Sequence, residues 1–191
     1  MAAHEVGASS GAMLELRSAP TEELSDLELT ELRLLLHLAF DGAFSDEDWD
    51  HSLGGRHFIG LHDGAIVAHA SVVPRRLHVG ERPVHTGYVE GVGVAEEHRR
   101  RGFGHIVMSQ LGEFLSPRFE LGALSAAEHN QSFYNRLGWR LWRGPTAVIV
   151  DGVARPTPED DGLTMILETP STGRLDLHAT LACEWREGDV W

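Results

Sequence analysis

The stretch Arg99-Arg100-Arg101-Gly102-Phe103-Gly104 carries the sharpest chemical signal in the chain. It follows an apolar alternating run and opens an amphipathic one, so it reads as a strand–turn–helix junction. A helix start offers unpaired N–H groups and the positive end of a dipole, and so binds phosphate. Glycines let the backbone approach the anion, and arginines add charge and forked donors. The alternative is a glycine turn with solvated arginines. The three adjacent arginines stand out because the chain holds 16 Lys+Arg against 29 Asp+Glu.

The preceding run, Tyr88-Val89-Glu90-Gly91-Val92-Gly93-Val94, places a carboxylate in an apolar strand. Burying Glu90 unpaired is costly, so it faces a partner or a polar cleft. As a base in a cleft it could take a proton from an amine, and it would matter most at low pH, where free amine is scarce. As a structural group it would pair with an arginine such as Arg75 or Arg76. Strict alternation puts Val89, Gly91 and Gly93 on one side. Interior glycines mark a bulge or another backbone close by, and a pantetheine arm with its two amides would be such a backbone.

Other candidates have equally plain alternatives. Tyr134, on a short helix, is either a proton donor or a core residue with a satisfied hydroxyl. Asp48, Asp160, Asp189 and the chain-end carboxylate of Trp191 lie far apart. Gathered, they would suit a cationic ligand. Otherwise Asp160 and Asp189 are turn acids and Asp48 closes a capping box begun by Ser45. His57, His62, His69, His78 and His85 lack the His-x-x-x-His spacing of a helix, and no metal site is expected. Cys183, the one cysteine, reads as a small buried hydrophobe.

These residues need a scaffold, and the composition allows one. With 191 residues, 42% apolar and 24% charged, the chain reads as globular. Residues 1–12 are small and polar and read as a flexible tail, leaving 13–191 as a single domain. A net charge of −13 argues against nucleic acid and is compatible with a cationic ligand. Neither a secretory signal nor a membrane-length apolar run is evident, so a cytoplasmic location without a membrane partner is expected.

Periodicity predicts a strand at Met13–Ser18, then a helix capped by Thr21 with Leu24, Leu27, Leu32, Leu35 and Leu36 inward. A hairpin follows at Arg56–His62 and Ala65–Leu77 over Asp63-Gly64, with a break or bulge at Pro74. A strand at His85–Val94 leads into a helix at Gly102–Leu115 with Phe103, Ile106, Val107, Leu111, Phe114 and Leu115 buried and Pro117 as its stop. Then come a strand at Phe119–Leu124, a helix at Asn130–Leu137 ended by Gly138, and strands at Trp139–Trp142 and Thr146–Val150. Asp151–Gly162 reads as a loop, and strands follow at Leu163–Leu167 and from Thr180. The order gives an α+β fold with a mixed central sheet flanked by helices.

The pattern Arg-x-x-Gly-x-Gly after a strand resembles the GNAT superfamily of acetyl-CoA-dependent N-acetyltransferases. The segments Asp48-Trp49-Asp50-His51-Ser52-Leu53-Gly54-Gly55, Gly87-Tyr88-Val89-Glu90-Gly91-Val92, Leu121-Gly122-Ala123-Leu124-Ser125, Gly138-Trp139, Gly144-Pro145-Thr146, Thr157-Pro158-Glu159-Asp160-Asp161 and Glu184-Trp185-Arg186-Glu187-Gly188-Asp189-Val190-Trp191 are similar to the aminoglycoside 2′-N-acetyltransferases within it. The resemblance implies a GNAT fold over residues 13–191, acetyl-CoA as co-substrate, no metal, and a homodimer. It assigns the N–H groups of Val92 and Val94 to the acetyl and pantetheine groups, and Arg99, Arg100, Arg101, Gly102, Phe103 and Gly104 to the pyrophosphate. Tyr134 matches the tyrosine that protonates the leaving thiolate. Asp48, Glu90, Ser125, Asp160, Asp189 and Trp191 (through the terminal carboxylate) fall in the drug pocket, with Glu90 a base acting through water.

One departure is Ala43, where the family can carry Asp; Asp41 or Asp46 would then supply the acid. No Gly-x-Ser-x-Gly elbow or Cys–His pair points to an acyl-enzyme, so direct transfer in a ternary complex is expected. Two alternatives remain open at this point: a GNAT enzyme for another amine (a polyamine, a cell-wall amino sugar or a protein lysine), and a drug- or acyl-CoA-binding protein with little turnover.

Overall fold

The computed structural model describes residues 13–191, and the tail expected over 1–12 lies outside them. The chain runs β1 (Glu15–Pro20), α1 (Asp26–Ala39), α2 (Asp46–His51), β2 (Arg56–His62), β3 (Ala65–Val79), β4 (Arg82–Val94), α3 (Phe103–Leu115) and β5 (Leu121–Ser125). It continues through α4 (Glu128–Asn135), β6 (Arg140–Leu141), β7 (Thr146–Val150), β8 (Val153–Pro156), β9 (Thr164–Glu168) and β10 (Leu181–Glu184). One mixed sheet holds all the strands, in the order β6-β9-β5-β4-β3-β10-β7-β8, with β1 and β2 attached along the first half of β3. This is the expected α+β, GNAT-like arrangement.

Local chemistry sets the helix starts. Thr21 does not cap α1 but opens a short 3-10 turn, and its hydroxyl is used elsewhere. Ser25 is the cap: its hydroxyl accepts from the Glu28 N–H, and the Glu28 carboxylate accepts from the Ser25 N–H. The helix therefore starts about one turn later than expected. Leu24, Leu32, Leu35 and Leu36 are buried as expected, while Leu27 is exposed with Leu34 and Leu38. In α3 the stripe Phe103–Val107–Leu111–Leu115 faces the sheet with Met108, and Ile106 falls off its edge and is exposed.

Two strand expectations also change. Asp151-Gly152, both at positive φ, make a tight turn into β8, so part of the expected loop is a hairpin with β7. Pro74 does not break β3. It lies between the end of the β2 pairing at Val72 and the start of the β10 pairing at Leu77, where that side of β3 has no neighbour.

The feature that shapes the site is in β4. Against β3, His69 pairs with Gly93 and Ser71 with Glu90, so β4 holds one extra residue and bulges at Gly91, whose φ is 55°. The bulge resets the alternation. Val89, Val92 and Val94 pack toward the core beneath α3, whereas Gly91 and Gly93 face α1. The expectation that Val89, Gly91 and Gly93 share a side therefore fails. A Cβ at Gly91 would stand 3.0 Å from Leu36 Cδ1, and one at Gly93 2.9 Å from Leu36 Cδ2. These glycines admit not another backbone but the side chains of Leu36 and Ala39 of α1, with Ser52 and His69 beside Gly91. Gly91→Ala should lower stability by about 1–2 kcal/mol from its left-handed conformation alone, with the Leu36 contact adding to that. A urea midpoint matching that of the parent protein would show that the bulge relaxes freely.

Candidate active site

β4 and β5 pair in parallel for three residues only, the last pair being Tyr88 with Ala123. Both strands then run on apart. The gap is a slot of ≈ 590 Å³ lined by Gly91, Val92, Gly93, Val94, Ser125 and Tyr134 among others. It continues into a second lobe of ≈ 550 Å³ bordered by Arg100, Gly102, Phe103, Gly104 and His105. Val92, Val94, Arg99 and Tyr134 border both lobes.

The second lobe ends at the start of α3. The first intrahelical bond there runs from the Ile106 N–H to the Gly102 carbonyl at 3.1 Å, so the Phe103, Gly104 and His105 amides precede the ladder. Gly102 caps the helix at φ 85° with open space where a side chain would be. This geometry fits an anion. The arginines divide differently from the expectation of three phosphate ligands. Arg99 borders the slot but donates to the Ala39 carbonyl at 2.9 Å and the Val94 carbonyl at 3.3 Å, strapping α1 to β4. Arg101 turns away to His98 Nδ1 (2.9 Å) and the Phe103 ring. Arg100, exposed and at φ 62°, borders the second lobe.

The two diverging strands carry Glu90 and Ser125, each two residues past the final pair; Ser125 lines the slot, and Glu90 lies between Val89 and Gly91, which line it. The Glu90 side chain is 14% exposed and accepts from Arg186 Nη1 at 2.6 Å. The partner is thus an arginine, but neither Arg75 nor Arg76. Arg75 donates to the Val190 carbonyl at 2.8 Å and anchors the C-terminal segment, and Arg76 lies 3.6 Å from the Glu184 carboxylate. Arg75 and Arg186 both lie over the Tyr88 ring. Burial pushes the Glu90 carboxyl up to about 7, outweighing the downward pull of Arg186 and Arg75, while the Asp48 charge adds to the rise.

The remaining acids meet around the C-terminal segment. Asp48 accepts from the Ser45 N–H at 2.9 Å, so the capping-box reading holds, yet its charge is felt at Glu90. His51 of α2 bonds the Glu187 carbonyl at 2.8 Å, clamping that segment. Arg186 Nε donates to the Asp189 carbonyl at 2.7 Å, and the exposed Asp189 carboxylate accepts from the Trp191 N–H at 3.1 Å. Trp191 is buried and donates its indole N–H to the Thr157 hydroxyl at 3.0 Å. Burial pushes the Asp160 carboxyl up, and the Asp189 charge acts in the same direction. Asp48, Glu90, Asp160, Asp189 and Trp191 are therefore linked around the C-terminal segment, whereas Ser125 is placed only as a slot-lining residue. Of the acids offered in place of Asp at Ala43, Asp41 borders the slot, whereas Asp46 pairs with Arg33 at the surface.

Tyr134 is buried between Phe133 and Trp139 and borders both lobes, so it is at once a core residue and a slot residue. Burial pushes its phenol up to about 12. Sequence reasoning missed Arg186, which reads as a surface charge between Glu184-Trp185 and Glu187. The signal was indirect: a buried Glu90 needs a cation. It also missed the contact between His57 and His69, which sit 2.9 Å apart, Nδ1 to Nε2. Among the described residues, no group of three or more His, Cys, Asp or Glu is placed to hold a metal ion. No helix there is long and apolar enough to cross a membrane.

Residues 21–142 match the family model described as "Acetyltransferase (GNAT) domain". The chain is 39% identical over 183 residues to an aminoglycoside 2′-N-acetyltransferase of Mycolicibacterium fortuitum, covering 95% of this chain and 94% of that one. Among solved structures, it resembles the GNAT family N-acetyltransferase YhbS of Escherichia coli in complex with CoA, with a TM-score of 0.65, 12% identity, and 94% and 93% of the two chains covered. It also resembles Eis1 of Mycobacterium abscessus, with a TM-score of 0.58 and 20% identity, covering 70% of this chain but only 32% of that larger protein. At such identities these two show the fold.

The Glu90–Arg186 pair makes a direct test. Arg186→Met removes a cation that holds the Glu90 carboxyl down, so its titration should move above about 7. The acid limb of the rate profile should shift to higher pH with it. A limb that stays in place would remove Glu90 from the proton path.

Proposed function

The chain belongs to the GNAT acetyltransferase family; from that premise we propose that it transfers acetyl from acetyl-CoA to the 2′-amino group of an aminoglycoside by direct attack in a ternary complex. One observation carries the reading furthest. A carboxyl pushed up to about 7 by burial sits between slot-lining Val89 and Gly91 on β4 and is held by Arg186 of the C-terminal segment, which also carries Asp189. The 39% identity to an aminoglycoside 2′-N-acetyltransferase supports both the substrate class and the nitrogen. Acetylation there would remove one positive charge from the drug and give resistance.

The slot receives the pantetheine arm along the β4 edge, and the α3 amides with Arg100 take the pyrophosphate. Asp48, Asp160, Asp189 and Trp191 hold the ammonium groups of the sugar, with Ser125 opposite. Glu90 takes a proton from the 2′-ammonium through water, and the freed amine attacks the thioester carbonyl. The Val92 N–H faces the developing oxyanion. The C–S bond breaks and the new amide forms; the amine's second proton ends on the coenzyme thiol. Transfer from a phenol at about 12 to a thiolate whose thiol titrates near ~8.5 is uphill by roughly 3.5 units, about 5 kcal/mol. Tyr134 therefore supports the leaving thiolate as a hydrogen-bond donor, and complete transfer waits for the amide proton. Residues 13–191 act as one catalytic domain in the cytoplasm. Exposed Leu27, Leu34 and Leu38 on one face of α1 support a homodimer.

The chemistry is tested by incubating an aminoglycoside with the enzyme and acetyl-CoA, then locating the product acetyl by mass spectrometry and NMR. One acetyl on the 2′ nitrogen is expected; another position, or bound drug without thiol release, contradicts the reading. Glu90→Gln refines it. A carboxyl at about 7 is itself protonated in acid, so the deficit should not peak at low pH as the sequence alone suggests. It should be largest just above pH 7, where Glu90 is ionised and the amine is still mostly protonated, and shrink on either side. A deficit that does not vary with pH excludes Glu90 as the base.

A further inference from the structure

A chain of polar groups, buried at its two imidazoles, runs from the start of the fold to the bulge in β4. The Gly54 N–H donates to Thr21 Oγ1 at 2.9 Å, and Thr21 Oγ1 lies 2.9 Å from His57 Nε2. His57 Nδ1 lies 2.9 Å from His69 Nε2, and His69 Nδ1 lies 2.7 Å from the Gly91 carbonyl oxygen. Both rings are buried. Burial pushes the His69 imidazole down to about 3 and the His57 imidazole to about 4, so both are neutral at ordinary pH.

Valence then fixes every proton. A carbonyl can only accept, so His69 Nδ1 carries hydrogen. A neutral imidazole has one N–H, so His69 Nε2 accepts and His57 Nδ1 donates. By the same rule His57 Nε2 carries no hydrogen and accepts from the Thr21 hydroxyl at 2.9 Å, the other acceptor in reach, the Gly55 carbonyl, being farther at 3.4 Å. The bonds run in one direction only, and the last group held is the Gly91 carbonyl.

That carbonyl shares a planar trans peptide with the Val92 N–H, so the two point in opposite directions. β4 lies between β3 and β5, His69 is on β3, and β5 has already parted from β4 at this level. Gly91, at φ 55°, has the backbone freedom to turn this peptide over. Turned over, it would aim a carbonyl at the oxyanion.

We infer that His57 and His69 are positioning residues for the acetyl-transfer step: the relay from Thr21 holds the Gly91 carbonyl toward β3 and so aims the Val92 N–H into the slot. The inference rests on the reading that this N–H receives the thioester oxygen.

His69→Leu removes the donor, whereas His69→Gln can still donate to Gly91 and accept from His57. Losing one oxyanion donor costs roughly 100–1,000-fold in kcat, so a loosened one in His69→Leu should cost about 10–100-fold, with His69→Gln recovering most of it. The affinity for coenzyme A lacking the acetyl group should stay within about 3-fold, because its phosphates rest on α3. An unchanged kcat in His69→Leu overturns the inference, and so does a joint loss of kcat and coenzyme affinity that His69→Gln shares. Nitrogen NMR of the wild-type imidazoles decides the matter if His69→Leu does not fold. Both rings are expected as neutral Nδ1–H tautomers, and an Nε2–H tautomer on either contradicts the relay. Thiol release by the wild-type enzyme with acetyl-CoA and an aminoglycoside is the control. Its absence sinks the reading of the reaction, whereas normal release alongside a fully active His69→Leu sinks the relay alone.

Discussion

Everything in the site depends on β4 and β5 parting after Tyr88 and Ala123. A strand edge left unpaired inside a fold exposes N–H and C=O groups that need partners. The bulge at Gly91 puts one extra residue in β4 opposite β3, just past the point where the pairing with β5 ends. What remains is a slot with a peptide edge along one wall. An extended ligand with amides of its own satisfies such an edge as a further strand would. The start of α3 borders the far end with free amides, a geometry that fits an anion.

The second constraint is electrostatic. Glu90 is held between burial, which favours its neutral form, and two guanidinium groups, which favour the charged one. Burial wins, and the outcome is a carboxyl pushed up to about 7, where it can both take and release a proton. Arg186 belongs to the C-terminal segment, which is kept in place by Arg75, His51 and the buried Trp191. The same segment brings Asp189 beside Asp160. One stretch of chain thus sets the titration of Glu90 and carries Asp189 toward Asp160, and loosening it should disturb both at once.

Much of this was legible in the sequence. Period-two runs gave β2, β3, β4 and β7, and the glycine-flanked turn before Phe103 gave the strand–turn–helix junction at the start of α3. Glu90 could be singled out because a carboxylate in an apolar strand has to be answered by something. The illegible parts share a cause: they depend on register or on a distant partner. Strict alternation misplaced Gly91 and Gly93 because one bulge reverses every later side chain. Arg99 and Arg101 look like phosphate ligands until α1 and His98 claim them. His57 and His69 are 12 residues apart and meet only because β2 and β3 are paired as they are. The turn Asp151-Gly152 was a fair hairpin signal, hidden by the prolines and acids that follow it.

The most direct measurement is a crystal structure of the enzyme with acetyl-CoA. The account predicts a pantetheine arm lying between β4 and β5, its thioester oxygen on the Val92 N–H, and its pyrophosphate at the Phe103, Gly104 and His105 amides. A coenzyme seated elsewhere, or a Gly91 carbonyl turned into the slot in its presence, would contradict it.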